Sequence, residues 1–337
     1  MKKLTIVVPS FNSEDYLERC LNSLVRETSE HLEILIVNDG STDSTGELAE
    51  SYERAFPRIV RAIHQENGGH GAAVNTGIEE ATGMYLKVVD SDDWVDPNAL
   101  KTLLQAILQV EKSEAPDMII NNYVYEKQGA RHKKTVHYRS FLPQNKVFGW
   151  REVRFPVGKY LLMHSLVFKT AILREKVPQL PHHTFYVDNL FAFYPLPFVK
   201  KMLYLDIDFY HYFIGRSDQS VNESVMIGRI DQQLFVNTKM VDYYSKQENL
   251  ERSCARYMRQ FLEIVTSVSS VLLMKQQSHD QLLKKRQLWD YIYETDTSLY
   301  YRLRFSLLGQ FVHLPGLVGR KTTLGMYRVC QKVYGFN

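Results

Sequence analysis

Cysteine is scarce in this chain of 337 residues: Cys20, Cys254 and Cys330 stand far apart and form no CxxC pair. Neither a zinc knuckle nor a disulfide framework is suggested, and a reducing cytoplasm suits such usage. No apolar run approaches the roughly 18 residues of a spanning helix. The start MKKLTIVVPS is basic and then apolar, but Leu4–Val8 is too short for the core of a signal peptide and reads as a buried first strand. A GxxxxGK[ST] phosphate loop is missing, as is the GxSxG elbow of a serine hydrolase. No repeat or low-complexity linker occurs. What remains, 45% hydrophobic and 23% charged residues, is a soluble globular composition with room for one large domain or two ordinary ones.

The first 125 residues alternate strand and helix. Apolar strands are expected at Leu4–Val8, Glu33–Asn38, Arg58–His64, Met84–Asp90 and Asp117–Tyr125. Helices are expected at Glu14–Glu27, capped by Asn12 or Ser13, near Ser44–Arg54, at Ala72–Ala81, and from Pro97. Gly68-Gly69-His70-Gly71 reads as a flexible loop before the third helix. Such alternation implies an α/β fold with a mostly parallel sheet covered on both faces. Ligands of these sheets bind beyond the carboxyl ends of strands, where Asp39 and Asp90 both fall. Lys201–Phe213 reads as a further strand. From about residue 223 the pattern turns helical, at Met226–Tyr244, Leu250–Met274 and Gln281–Tyr293, and a boundary is expected near 222.

The stretch KVVDSDDWVD, Lys87–Asp96, puts four carboxylates within seven residues. Two carboxylates about 4 Å apart repel by ~1 kcal/mol even in bulk water. A hard divalent cation, Mg²⁺ or Mn²⁺, would offset that, since it takes oxygen ligands and shares them with substrate phosphates. An EF-hand loop is excluded, because it needs Gly at its sixth and Glu at its twelfth position. The bland alternative is a solvated turn in which Asp96 caps the helix at Pro97.

Read with its neighbours the cluster gains specificity. TIVVPSFN at 5–12, EILIVNDGSTDST at 33–45, NGGHGAAVNTGIEEATGMYLKVVDSDDWVDP at 67–97 and YVDNLF at 186–191 come in an order that resembles family-2 glycosyltransferases of the Rossmann-like GT-A fold. The resemblance covers roughly 1–220. It implies a base pocket lined by Pro9, Phe11, Asn12 and Glu14, and Asp39 bonded to the base, which favours uracil. Asn67, Gly69 and His70 would lie along the nucleotide. Asp90 and Ser91 would lie toward ribose or sugar, Asp92 on the metal, and Asp93 beside these ligands or on the sugar. Asp188 matches the family's catalytic base, although the Glu that normally precedes it is Val187 here. Its aromatic neighbours Phe185, Tyr186 and Phe191 suit a raised pKa. Where many relatives carry Arg, this chain has Ala73-Val74-Asn75, so a diphosphate contact is sought in Arg216. His211 is a further candidate for the metal or diphosphate, with packing between two tyrosines as its alternative.

Six of the 41 basic residues and none of the 38 acidic ones lie from Thr297 onward, so a basic, aromatic-rich tail follows a mildly acidic body. Such a tail suits an anionic lipid surface, or a packed helix with a solvated basic face. Nucleic acid is not expected as a partner.

The expected protein is an α/β GT-A domain at 1–222 with a C-terminal helical region at 223–337. The expected function is metal-dependent, inverting transfer from a UDP-sugar to a hydroxyl of a glycan, glycoprotein or lipid-linked acceptor. It would take place in the cytoplasm or at the inner face of the cell membrane, with a homo-oligomer left open. The alternatives are a catalytically silent sugar-nucleotide-binding scaffold, or a sugar-nucleotide pyrophosphorylase. The second is disfavoured by the absence of a GxGxR-type loop after the first strand.

Overall fold

The structure is a computed structural model describing residues 1–334 except 28, 111–113, 128, 130–132, 216–218, 220–221 and 277; the side chains of 330–334 are also outside the description. It forms two compact units. The first is Met1–Arg154 with Leu161–Ile214, and the second is Phe155–Tyr160 with Gly215–Asn337. The boundary expected at 222 thus falls inside the main segment of the second unit.

The first unit opens with β1 (Leu4–Ser10), α1 (Glu14–Leu24), β2 (Leu32–Asp39), α2 (Thr45–Ala55), β3 (Val60–Gln65), α3 (His70–Glu80) and β4 (Tyr85–Val88). It continues with β5 (Trp94–Val95), α4 (Pro97–Gln109), β6 (Met118–Lys127), β7 (Lys134–Val136) and β8 (Val147–Phe148). β9 (Leu166–Lys169), α5 (Thr170–Glu175), α6 (Asp188–Phe193) and β10 (Met202–Ile214) complete it. One sheet runs in the order β3-β2-β1-β4-β9-β6-β10-β5, with β7 on β6 and β8 on β10. The long strands all point one way, because β1, β2, β3 and β4 pair parallel, β6 and β10 pair parallel, and β9 opposes both β4 and β6. The short strands β5, β7, β8 and β9 are antiparallel additions, so the sheet is mixed with a parallel framework.

Every residue of β1 and β2 is buried, as expected of strands covered on both faces. Helix α3 lies close on β1. A Cβ at Gly77 would stand 2.2 Å from Val7 Cγ1, so only glycine allows that approach. Helix α3 begins at His70, a correction to the flexible loop expected there, because Gly69 takes φ +83° and turns the chain directly into the helix. Asp96 Oδ1 accepts from Ala99 N at 2.8 Å and caps α4 ahead of Pro97.

Parallel register sets the site. Val7 pairs with Val88 and Pro9 with Val37, so Asp90 and Asp39 leave the sheet at the same edge. Two irregularities in the β10–β6 pairing, between Tyr204 and Tyr210, shift the register before Tyr210, His211 and Phe213.

The second unit is helical: α7 (Glu223–Gly228), α8 (Ile230–Ser245), α9 (Arg252–Lys275), α10 (His279–Thr295), α11 (Thr297–Arg304), α12 (Leu307–Val312) and α13 (Gly316–Tyr334). The helix expected at Met226–Tyr244 is interrupted at Arg229. Asn222, Ser278, Asp296 and Ser306 accept the first-turn N–H groups of α7, α10, α11 and α12. Helix α9 buries Tyr257, Met258, Phe261 and Leu262, and the segment Phe155–Tyr160 packs on it with the Tyr160 ring tilted 42° against Phe261, centroids 4.6 Å apart. Among the described residues no helix is long and apolar enough to cross a membrane.

Candidate active site

Three adjacent strand ends supply the site. At the end of β1, Pro9 is buried in the pairing with β2 and Phe11 leaves its ring 50% exposed. Asn12 takes φ +46°, a left-handed conformation that Asn tolerates better than most residues. Its N–H donates to Ser41 Oγ at 3.0 Å and its Oδ1 accepts from Thr42 N at 2.9 Å. Glu14 Oε2 accepts from Ser44 N at 2.9 Å, so the loops after β1 and β2 are laced together.

At the end of β2, Asp39 is 2% exposed and its carboxylate accepts three hydrogen bonds, from Gln65 Nε2 at 2.7 Å, Gly68 N at 2.9 Å and Gly69 N at 2.8 Å. Asn67 Nδ2 donates to the Asp39 carbonyl at 2.8 Å. Asp39 therefore anchors the 67–69 loop. At Gly69 a Cβ would stand 3.0 Å from His183 N, and His183 N donates to Gly68 O at 2.7 Å. The loop is thus sandwiched between Asp39 and the segment leading to Asp188. Asn75 binds both backbone groups of one residue in that same segment, donating to Leu180 O and accepting from Leu180 N, each at 2.9 Å.

At the end of β4 the acidic cluster divides into distinct roles. Asp90 Oδ1 accepts from His70 Nε2 at 2.8 Å. Burial pushes the Asp90 carboxyl up, but the His70 hydrogen bond and charge outweigh it, and its pKa is lowered. Ser91 Oγ is 2.7 Å from Ser13 Oγ, which ties the cluster to the start of α1. Asp92 is half-buried, and its carbonyl accepts from Arg19 Nη2 at 2.7 Å. Arg19 in turn stacks 4.0 Å above the Trp94 ring. Asp93 is fully buried: Tyr210 OH donates to its Oδ2 at 2.5 Å, and Phe213 N donates to its Oδ1 at 2.7 Å. Burial, with the charges of Asp92 and Asp90, holds its pKa well above the carboxylate range. These bonds make Asp93 brace β10 against the end of β4, which agrees with a place beside the ligands more than with a contact to the sugar.

Asp188 opens α6, right after Tyr186, which is held at φ +66°. Burial lifts its pKa to about 6, with the His70 charge opposing and the Asp90 charge adding to the rise. His70 feels the same neighbours. Burial lowers its pKa, yet the Asp90 bond and the charges of Asp90, Asp188 and Asp92 raise it overall. His70 is thus the point at which Asp90, Asp92 and Asp188 converge electrostatically.

His211 lies opposite Trp94 in the β10–β5 pairing, its ring stacked 5.4 Å away and its Nδ1 2.7 Å from Glu126 Oε1. Arg216 lies outside the described residues.

Several residues that sequence reasoning missed belong to the site. His164 is 6% exposed between Tyr210 and Tyr212, and its Nδ1 has no hydrogen-bond partner. Burial drops its pKa to about 4, so at neutral pH the imidazole is uncharged. Donor atoms of Asp90, Asp93 and His164 all lie within 4.8 Å of one another, a group able to hold a cation. Lys87 is fully buried, donates to His164 O at 2.7 Å, and is pushed by burial to a pKa of about 7 against the pull of Asp90. A lysine inside the apolar run before Asp90 was the available signal for it. His164 and Tyr210 lay in stretches with no motif.

Asp39 and Asp90 at the carboxyl edge of a parallel framework, with helices and antiparallel additions around it, fit the GT-A fold. Residues 5–171 match the model for Glycosyl transferase family 2, so the chain is similar to that family over that region. It is 40% identical over 121 residues to glycosyltransferase GlyA of Streptococcus pneumoniae serotype 4, covering 36% of this chain and 17% of that one. It is 31% identical over 226 residues to putative glycosyltransferase EpsH of Bacillus subtilis, covering 64% of this chain and 61% of the relative. The chain thus spans less than two thirds of the length of these relatives. The crystal structure of Staphylococcus aureus TarS residues 1–349 in complex with UDP-GlcNAc shares the fold, with TM-score 0.67 and 18% identity over 98% of this chain and 91% of that one.

Proposed function

We propose that this protein transfers a sugar from a UDP-sugar to a hydroxyl of a glycan, glycoprotein or lipid-linked acceptor, with inversion at the anomeric carbon and with Asp188 as the base. The observation that carries the reading is the 2.8 Å contact of His70 Nε2 with Asp90 Oδ1 at the end of β4, at an imidazole that also feels the charges of Asp188 and Asp92. With a pKa of about 6, Asp188 is mostly ionised at neutral pH and still basic enough to take a proton. It removes the acceptor hydroxyl proton as that oxygen bonds to the anomeric carbon and the bond to UDP breaks. One base and one displacement give inversion. The fold-level likeness to a TarS crystal structure holding UDP-GlcNAc supports a uridine donor.

Mn²⁺ or Mg²⁺ suits the acidic end of β4, where donor atoms of Asp90, Asp93 and His164 lie within 4.8 Å of one another and His164 Nδ1 has no partner. Asp92 and His211 are the ligands proposed from the sequence, and the Asp90–Asp93–His164 group is the set that stands together. The Glu126 contact at His211 Nδ1 orients that ring as ligating histidines are commonly oriented. The ion's chemistry is neutralisation of charge on the leaving diphosphate. In this reading Asp39, Asn67 and Gly69 shape the nucleotide loop, Phe11 offers an exposed ring to the base, and Asp90 with His70 orients the donor. The exposed Leu317, Val318 and Lys321 of α13, with the half-buried Arg320 between them, suit peripheral contact with an anionic membrane.

Thermal stabilisation by UDP, GDP, ADP and CMP, with and without Mn²⁺, tests the reading, because a ligand of the folded state raises its stability by mass action. A UDP-selective, Mn²⁺-dependent rise that is lost on chelation and in Asp92→Ala is expected. Equal, metal-independent shifts with all four nucleotides would overturn it.

A further inference from the structure

The helical unit contains a basic concavity that the site above does not use. A cavity of about 360 Å³ is lined by Arg252, Ser253, Ala255, Arg256, Arg259 and Arg302. Arg252, Arg256 and Arg259 occupy positions i, i+4 and i+7 of α9, hence one face, along about 10 Å of its axis. Arg302 joins them from α11. Arg259 Nη1 donates to Tyr244 OH at 3.0 Å. Among the described residues no carboxylate forms an ion pair with any of the four arginines. Arg252, Arg256 and Arg302 are exposed and Arg259 is half-buried.

This arrangement works against the stability of the free protein. The first turn of α9 contains no acidic residue, and basic side chains there oppose the helix macrodipole. Four like charges around one cavity also repel. A bound anion relieves both effects. Guanidinium groups match phosphate oxygens in two-point hydrogen bonds, and their planar forks favour such anions over a point charge. The cavity has the volume of a small-molecule site, larger than one oxyanion requires. Arginines recurring at each turn present successive charges along a line.

We propose that this cavity binds an extended phosphate-bearing chain, engaging more than one phosphate at once, as a phosphodiester-linked glycan would offer. The concave, arginine-lined form favours a chain over a lipid surface, since none of its lining residues is a large apolar one. The binding stands by itself. Identifying the chain as the acceptor rests on the transferase reading above.

The test is calorimetric titration of the full chain, without nucleotide, with orthophosphate, linear triphosphate and long-chain polyphosphate at one ionic strength. Affinity should rise at least about tenfold from triphosphate to the long chain, as expected when several contacts act together. The double variant Arg256→Gln/Arg302→Gln should lose about ten- to a hundredfold in polyphosphate affinity, the scale for removing charge-assisted hydrogen bonds. Arg256→Lys, which keeps the charge but loses the fork, should fall in between. Both variants should keep the wild-type UDP response. Affinity independent of chain length, or a double variant that binds polyphosphate as wild type does, would overturn the proposal. So would anionic vesicles or single-stranded nucleic acid displacing polyphosphate at lower phosphate concentration than polyphosphate displaces itself. Loss of the UDP response with polyphosphate binding intact would instead sink the transferase reading alone.

Discussion

His70 Nε2 lies 2.8 Å from Asp90 Oδ1, joining the first residue of α3 to the end of β4. The pair sets two carboxyls apart. It holds Asp90 low while the same imidazole partly offsets the burial that lifts Asp188 to about 6. Replacing His70 by Asn removes a positive charge that holds the Asp188 pKa down, so that pKa should climb further. The acidic limb of kcat/KM against pH, expected near 6 in wild type, should move to higher pH in His70→Asn. An unmoved limb would separate His70 from the base.

Asp188→Asn keeps the shape of the side chain and removes its basicity. Turnover should fall by about 10²- to 10⁴-fold, the usual worth of general-base catalysis. The UDP-dependent rise in melting temperature should persist, because the base acts on the acceptor hydroxyl. Unchanged turnover would point to a binding module with no chemistry at this residue.

The parallel framework was legible because β1, β2 and β4 are short and mostly apolar, and β2 and β4 run into Asp39-Gly40 and Asp90, signals that belong to the chain locally. The convergence of Asp39 and Asp90 at one edge followed from strand direction alone. The antiparallel β9, only four residues long and lying between β4 and β6, was not legible, since its place is fixed by partners distant in sequence. The same holds for the division within the acidic cluster. Nothing local distinguishes Asp93 from Asp92. Tyr210 and Phe213, 117 and 120 residues away, are what enclose it. His70 was legible as a site residue but not as a helix start, because Gly-Gly before it reads as a loop until the φ of Gly69 is known.

Asp93 also shapes the dependence of stability on pH. Its folded pKa is raised, so its stabilising contribution is complete below the ordinary carboxylate range and is lost as pH climbs toward the raised value. Asp93→Asn should remove that slope, since the amide oxygen can still accept from Phe213 N and the amide N–H can face the Tyr210 oxygen. Melting temperatures measured with chelator present should show the variant gaining on wild type as pH rises from about 4 upward, given an unfolded Asp near 3.9. Parallel curves for the two proteins would mean that Asp93 ionises without cost.

Asn75 tests whether catalysis depends on how the 180–187 segment is held. Its amide makes two hydrogen bonds to Leu180, and the side chain is 7% exposed. Asn75→Ala strands the buried N–H and C=O of Leu180, a loss of about 2–4 kcal/mol in urea unfolding if neither finds water. The same segment carries the left-handed His183 and Tyr186 and ends at Asp188. Loosening it should let Asp188 wander from its working position, while Asp39, which anchors the nucleotide loop through Gly68 and Gly69, keeps its own hydrogen bonds. Turnover should therefore fall about tenfold or more, as misplacement of a catalytic group does, with the KM for the donor little changed. Amide exchange should quicken over 180–187 and not over β1 or β2. A variant that loses donor affinity and turnover in equal measure would show that the segment serves the nucleotide loop instead of the base.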